Sequence, residues 1–248
     1  MKKSLFRIMA LAMLAATCVM AQKIKNQNEA KAISEIQKAK SPDEVVAAVD
    51  KFVTGFPDSE FKSQALSAAG EAAEQKGDWV KAVSYGRLAI EADAKNFDAL
   101  LLVAAELAQH TPENALTKEQ DFGEAQKDAE QALEVIPTVT KPVDSKMPDA
   151  AFEALKKDGV ARAHAAMGMI AGKRKKWDVA SKEFQTAIDS TSQPDSVLLV
   201  RLGNAYNEAG KPAEALVVLN KVLAMENLNP AVKQFATSEK NRAEKAKK

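Results

Sequence analysis

Few residues in this chain are equipped for covalent or metal chemistry. It has one cysteine, Cys18, and two histidines, His110 and His164. A metal centre needs several His, Cys, Asp or Glu side chains converging at ligand spacing, and no His-Glu-x-x-His or similar paired motif is present. His110 reads as a surface residue in an inserted turn, and His164 as a packing residue on a helix that faces its neighbour. Gly172-Lys173-Arg174 has the Gly-Lys pair that ends a phosphate-binding loop. However, no glycine stands five residues earlier, and Arg174 occupies the place of Ser or Thr. No Gly-x-Ser-x-Gly elbow occurs. The densest basic run is Lys173-Arg174-Lys175-Lys176-Trp177. It reads either as a solvated turn or as a contact for an acidic partner or phosphate. The sequence therefore predicts no catalytic residue, no cofactor and no metal, and a protein that is not an enzyme.

Any site must then be a binding surface, and the elements that carry it are helices. The chain has 248 residues, of which 46% are apolar and only 5% aromatic, with 10 Gly and 9 Pro. That balance favours helices packed through small side chains over sheets, which want β-branched and aromatic residues. The first 21 residues carry Lys2, Lys3 and Arg7 and no acid, followed by an uncharged, largely apolar stretch from Ile8 to Met20. Val19 and Ala21 offer small residues at the −3 and −1 places before Gln22. This predicts a cleaved signal peptide over 1–21, with an uncleaved N-terminal anchor as the alternative. A membrane span needs ~20 apolar residues, so no span is expected after cleavage. Cys18 is either apolar filler in a discarded segment or a lipidated cysteine. Ala15-Ala16-Thr17-Cys18 loosely resembles a lipobox, with Ala15 in place of Leu and Thr17 in place of a smaller residue. The expected location is exported: periplasmic or secreted. The full chain has a net charge of +1, and removing 1–21 leaves 32 basic against 34 acidic residues. A near-neutral chain gives no electrostatic case for nucleic acid or anionic lipid.

Internal repetition organises the rest. Ala69-Gly70 … Gly77-Asp78-Trp79-Val80-Lys81-Ala82 … Ala89-Ile90 aligns without gaps on Leu202-Gly203 … Gly210-Lys211-Pro212-Ala213-Glu214-Ala215 … Val222-Leu223. Met167-Gly168 … Lys176-Trp177-Asp178-Val179-Ala180 … Ala187-Ile188 is a third copy. On these residues the chain resembles the tetratricopeptide repeat proteins. That resemblance implies an all-α, right-handed α-solenoid of 34-residue helix–turn–helix units, with small residues at positions 8, 20 and 27. Five units follow: 26–59, 63–96, 97–139 with an inserted turn over Gln109 to Thr117, 161–194 and 196–229. Position 8 holds Ile33, Gly70, Ala104, Gly168 and Gly203, and position 20 holds Val45, Ala82, Ala125, Ala180 and Ala215. Gly77 and Gly210 suit the left-handed end of a first helix. Asp78 and Asp121 suit the cap of a second.

Residues 140–160 read as a linker and helix extension dividing the array into a three-unit and a two-unit block. Residues 230–248 read as a capping helix, with Val232, Phe235 and Ala236 covering unit five, and a basic tail. The resemblance further implies a concave groove lined by the first helix of each unit. Carried over, its positions give Leu101, Leu102, Ala105, Arg162, Ala165, Met169, Arg201, Asn204 and Asn207 as a partner-binding face. Arg201, Asn204 and Arg162 match in kind the family's grip on a C-terminal carboxylate, but units two and three lack the pattern. The expected function is a protein–protein interaction scaffold or adaptor of the bacterial cell envelope, binding a protein or peptide. The alternative is a self-assembling or holdase-like accessory factor, so a homo-oligomer is an open possibility.

Overall fold

The computed structural model describes residues 24–141, 145–191, 193 and 195–247. The expected signal segment, with Cys18, lies outside them. Among the described residues there are eleven α-helices and no strand. They are α1 (Gln27–Lys38), α2 (Pro42–Gly55), α3 (Lys62–Gln75), α4 (Trp79–Ala92), α5 (Phe97–His110), α6 (Lys118–Val135), α7 (Asp149–Lys173), α8 (Trp177–Ser190), α9 (Ser196–Glu208), α10 (Pro212–Leu223) and α11 (Pro230–Ala246). A short 3₁₀ turn, Ile136–Thr138, follows α6. Each helix packs on the next, and alternate helices such as α5 and α7 also touch, which makes a stacked array.

Local chemistry starts and stops these helices. Asn26, Ser41, Asp78, Asn96, Asp195 and Asn229 each accept a hydrogen bond from a first-turn backbone N–H. Such caps satisfy donors that have no partner inside the helix. Gly77 and Gly210 end α3 and α9 with φ of +76° and +70°. In the equivalent turn of unit four Lys175 takes φ +57°, a conformation that costs a side chain roughly 1–2 kcal/mol.

Small residues set how closely the helices approach. Ala82, Ala125, Ala180 and Ala215 are wholly buried. A Cβ on Gly168 would lie 2.7 Å from the Phe184 ring, and one on Gly203 would lie 2.7 Å from Leu219. At Gly70 it would meet Leu102 at 2.6 Å and the Ala82 carbonyl at 3.3 Å. In unit one the larger Ile33, Val45 and Phe52 fill the same places, all buried. There Glu29, 1% exposed, accepts from the Ser59 hydroxyl at 2.6 Å and from the Lys25 backbone N–H. Within unit two, Asn96, which caps α5, donates through Nδ2 to the Ser63 and Ser67 hydroxyls at 2.8 and 2.9 Å. Arg87 of α4 forks onto Glu124 of α6 with two 2.7 Å bonds.

Four expectations need correction. Asp121 does not cap the second helix of unit three. That helix begins at Lys118, so Asp121 lies in its first turn and accepts from the Thr117 hydroxyl at 2.9 Å. The insertion is shared between an irregular loop over 111–117 and the start of α6, while Gln109 and His110 remain in α5. The segment before unit four does not divide the packing. Helix α7 runs unbroken for 25 residues from Asp149, and one core runs from Val83 of α4 to Ile170 of α7. Its Gly159 sits against Ile136 and Leu101. In α11, Ala236 and Ala243 are buried in a second core with Leu199, Leu219 and Val222, and Val232 packs against it, but Phe235 points outward, 48% exposed.

Candidate binding face

Position 2 of successive units holds Gln64 on α3, Asp98 on α5 and Arg162 on α7, so register alone puts the three in a row. Glu71, two turns along α3 from Gln64, lies on the same face. The electrostatics confirm the juxtaposition. Burial, then the Asp98 charge, push the Glu71 carboxyl up to about 8, with Arg162 opposing and Glu74 adding to the rise. Asp98 is likewise raised by burial and held back by Arg162. Glu106 is pushed up to about 7 by burial and by Glu74. Four carboxylates thus share this face with one guanidinium. No hydrogen bond joins Glu71, Asp98 and Arg162 among the described residues. The Gln64 side-chain oxygen is buried without a partner.

The apolar patch expected here is a different object. Leu101 and Leu102 are each 1% exposed. Leu102 is a knob in the notch left by Gly70 and packs with Ala73 and Ala82. Leu101 is covered by α7 at Gly159. Both are core residues and neither is open to a partner. Ala105 and Ala165 are half-buried, and Met169 packs against the cores on either side of α7.

Toward the C-terminal end the expected face is partly occupied by the chain itself. Arg201 donates to the Gln109 side chain at 3.1 Å, and burial holds its charge less stable than usual, with Asp195 opposing. Asn207 donates to the Glu239 backbone and carboxylate at 2.9 and 2.8 Å, so α11 covers it. Asn204 is half-buried. Arg162 is exposed and faces carboxylates.

The histidines also have defined neighbours. His110 ends α5 and stacks on Trp79 of unit two, with ring centroids 5.8 Å apart. The Glu106 carboxylate lies 3.7 Å from its Nε2. His164 pairs with Glu183 of its own unit at 2.8 Å.

The chain's fold can be placed by its likeness to known structures. No protein-family model and no curated protein sequence matches it. A thermophilic tetratricopeptide repeat protein of Thermus thermophilus superposes with a TM-score of 0.56 at 13% identity, over 86% of this chain and 95% of that one. The fold is that of a tetratricopeptide repeat protein. Two further solved structures align less closely. A tetratricopeptide repeat protein of Parabacteroides merdae gives 0.42 at 16% identity, over 90% of this chain and 93% of its own. The assembly chaperone of RpL4 gives 0.38 at 12%, over 89% of this chain and 95% of its own.

With the repeat register fixed, one residue missed from the sequence becomes intelligible. Glu74 stands at position 12 of unit two, on the same face as Glu71 and Asp98 and one turn further on, and following the register to the end of the first helix finds it. Gln109 and Lys173, at position 13 of units three and four, stand in the last turns of α5 and α7, at the edge of that face.

Proposed function

We propose that this chain is a protein-interaction scaffold of the cell envelope that holds a polypeptide segment on the face formed by α3, α5 and α7. The observation that carries this reading is the set of carboxylates at Glu71 and Asp98, desolvated, repelling and answered among the described residues by Arg162. Raised to about 8, the Glu71 carboxyl stays largely protonated at neutral pH, and ionising it is costly to the array alone. A Lys or Arg side chain of a bound segment relieves the cost and gains a charge-assisted bond. Stacked repeats supply the extended surface that such a segment needs. Location at the envelope follows from the expected signal segment, as does the choice of an exported partner. No described helix is long and apolar enough to cross a membrane.

Copurification from the native cells, using the tagged full chain, tests the reading. One or a few stoichiometric polypeptides should accompany the chain and be lost in Glu71→Lys with Asp98→Lys. A chain that elutes larger than 26.7 kDa with no partner would turn the reading to self-assembly. Suppression of aggregation of unrelated clients would turn it to a holdase.

A further inference from the structure

The basic run singled out in the sequence is neither wholly solvated nor wholly structural. Lys173 and Arg174 are held inside the array. Lys173 donates to the Gln109 and Thr111 carbonyls at 2.8 and 2.9 Å, with its charge 5.7 Å from the centre of the Phe122 ring. Arg174 lies at the same distance from that ring and bonds Glu119 and Gln126 at 3.0 and 3.1 Å. These contacts fix the inserted loop of unit three onto the end of α7. The loop closes on itself through Ala115 N–H to the Pro112 carbonyl and Lys118 N–H to the Ala115 carbonyl, both 3.1 Å.

Two features emerge beside this clamp. Lys118, Glu119 and the run from Lys173 to Lys176 line a shallow trough of about 500 Å³. Its one carboxylate, Glu119, is engaged by Arg174. Lys118, Lys175 and Lys176 make no ion pair among the described residues. Burial holds the Lys173 ammonium below its ordinary range, with the nearby Glu113 opposing and Arg201 adding to the fall. Two residues before Lys118, Leu116 stands fully exposed at the end of the anchored loop, the most exposed large apolar side chain described. A leucine held out on a fixed loop is ordered in advance, so a partner that covers it loses little conformational freedom in doing so.

We infer that this edge of units three and four is a second docking surface, separate from the face of α3, α5 and α7, and that it takes an acidic polypeptide segment carrying an apolar side chain. The acids lie along Lys118, Lys175 and Lys176, and the apolar residue packs on Leu116. Leucine beside the lysines favours a polypeptide over a nucleic acid, and the near-neutral chain lacks the broad positive field that phosphate backbones need.

The test is fluorescence anisotropy with the full chain and a labelled short peptide of Glu, Asp and Leu. The comparators are a peptide with Lys in place of the acids and a single-stranded oligonucleotide of equal charge. The acidic peptide should bind saturably and weaken as salt rises. Lys118→Glu with Lys176→Glu should lower its affinity about tenfold or more, Leu116→Asp should also weaken it, and Glu71→Gln should leave it unchanged. Leu116 and Lys176 face solvent and Lys118 does so in part, and a cooperative melting transition in each variant establishes the fold. Absence of saturable binding of the acidic peptide, equal affinity in the charge-reversed chain, or tighter binding of the oligonucleotide would overturn the inference. None of those three outcomes bears on the concave-face reading, which takes the opposite charge and is reported by the basic peptide.

Discussion

Alanine in place of glycine should have opposite effects at two helical positions, and the contrast tests the packing directly. Gly168 of α7 faces Phe184 of α8. An added Cβ would lie 2.7 Å from two ring atoms and 3.1 Å from a third, the one bonded to the side chain's own Cβ. Phe184 is 4% exposed and packs in one core with Ala171, Ala180, Leu202 and Ala205, so the ring has nowhere to slide. Overpacking of this kind costs about 1–3 kcal/mol. Against it stands the helix preference of Ala over Gly, about 0.5–1 kcal/mol. Gly168→Ala should therefore lose about 1–2 kcal/mol net, a fall in melting temperature of roughly 2–8 °C for a chain of this size. Gly123 of α6 has nothing within 4 Å of the same added atom. There only the preference acts, so Gly123→Ala should gain about 0.5–1 kcal/mol. Thermal and urea unfolding followed by circular dichroism measures both. If Gly168→Ala stabilises the chain as Gly123→Ala does, α7 and α8 are not in the contact described.

Other consequences follow from the same geometry. Lys175→Gly removes a side chain from a left-handed turn and should stabilise by about 1 kcal/mol in urea unfolding; a loss would mean that the Lys175 side chain holds the turn. Ala125→Leu and Ala180→Leu, at wholly buried positions, should each cost about 1–3 kcal/mol. Melting like the parent in both would break the repeat register. Because the Glu71 and Glu106 carboxyls are raised in the folded chain, to about 8 and about 7, the folded state binds more protons than the unfolded one between about pH 4.5 and those values. Stability should therefore fall as pH rises through that window. Glu71→Gln should melt higher than the parent at pH 8 and show little difference at pH 5; an equal shift at both would mean that charge at Glu71 is not the cause.

The repeat itself was legible because close helix approach permits few residues. Gly70, Gly168, Gly203 and the buried alanines at position 20 are demanded by backbone distance, and Gly77 and Gly210 by a positive φ. What the sequence hid depends on contacts between distant segments. Leu101 and Leu102 share a helical face with Asp98. Nothing local shows that α7, extended to 25 residues, would cover one, or that the Gly70 notch would swallow the other. Asp121 has a capping residue's chemistry, but the insertion lets α6 start a turn earlier, which removes the task. Lys173 resembles any solvated lysine until the carbonyls of Gln109 and Thr111, more than sixty residues away in the chain, are found to meet it. Of the expected binding residues, Arg162 shares the face of Glu71 and Asp98, while Arg201 and Asn207 are engaged within the chain.

Site-specific photo-crosslinking in the native cells reports whether the face of α3, α5 and α7 holds a polypeptide. A photoreactive residue is placed singly at Glu71, Asp98 or Arg162 on the proposed face, and at Leu88 or Val217, both exposed on second helices of their units. One defined polypeptide should crosslink from the first three positions and from neither of the other two. Crosslinks of equal yield from Leu88 and Val217, or none from Glu71 and Asp98, would contradict that reading.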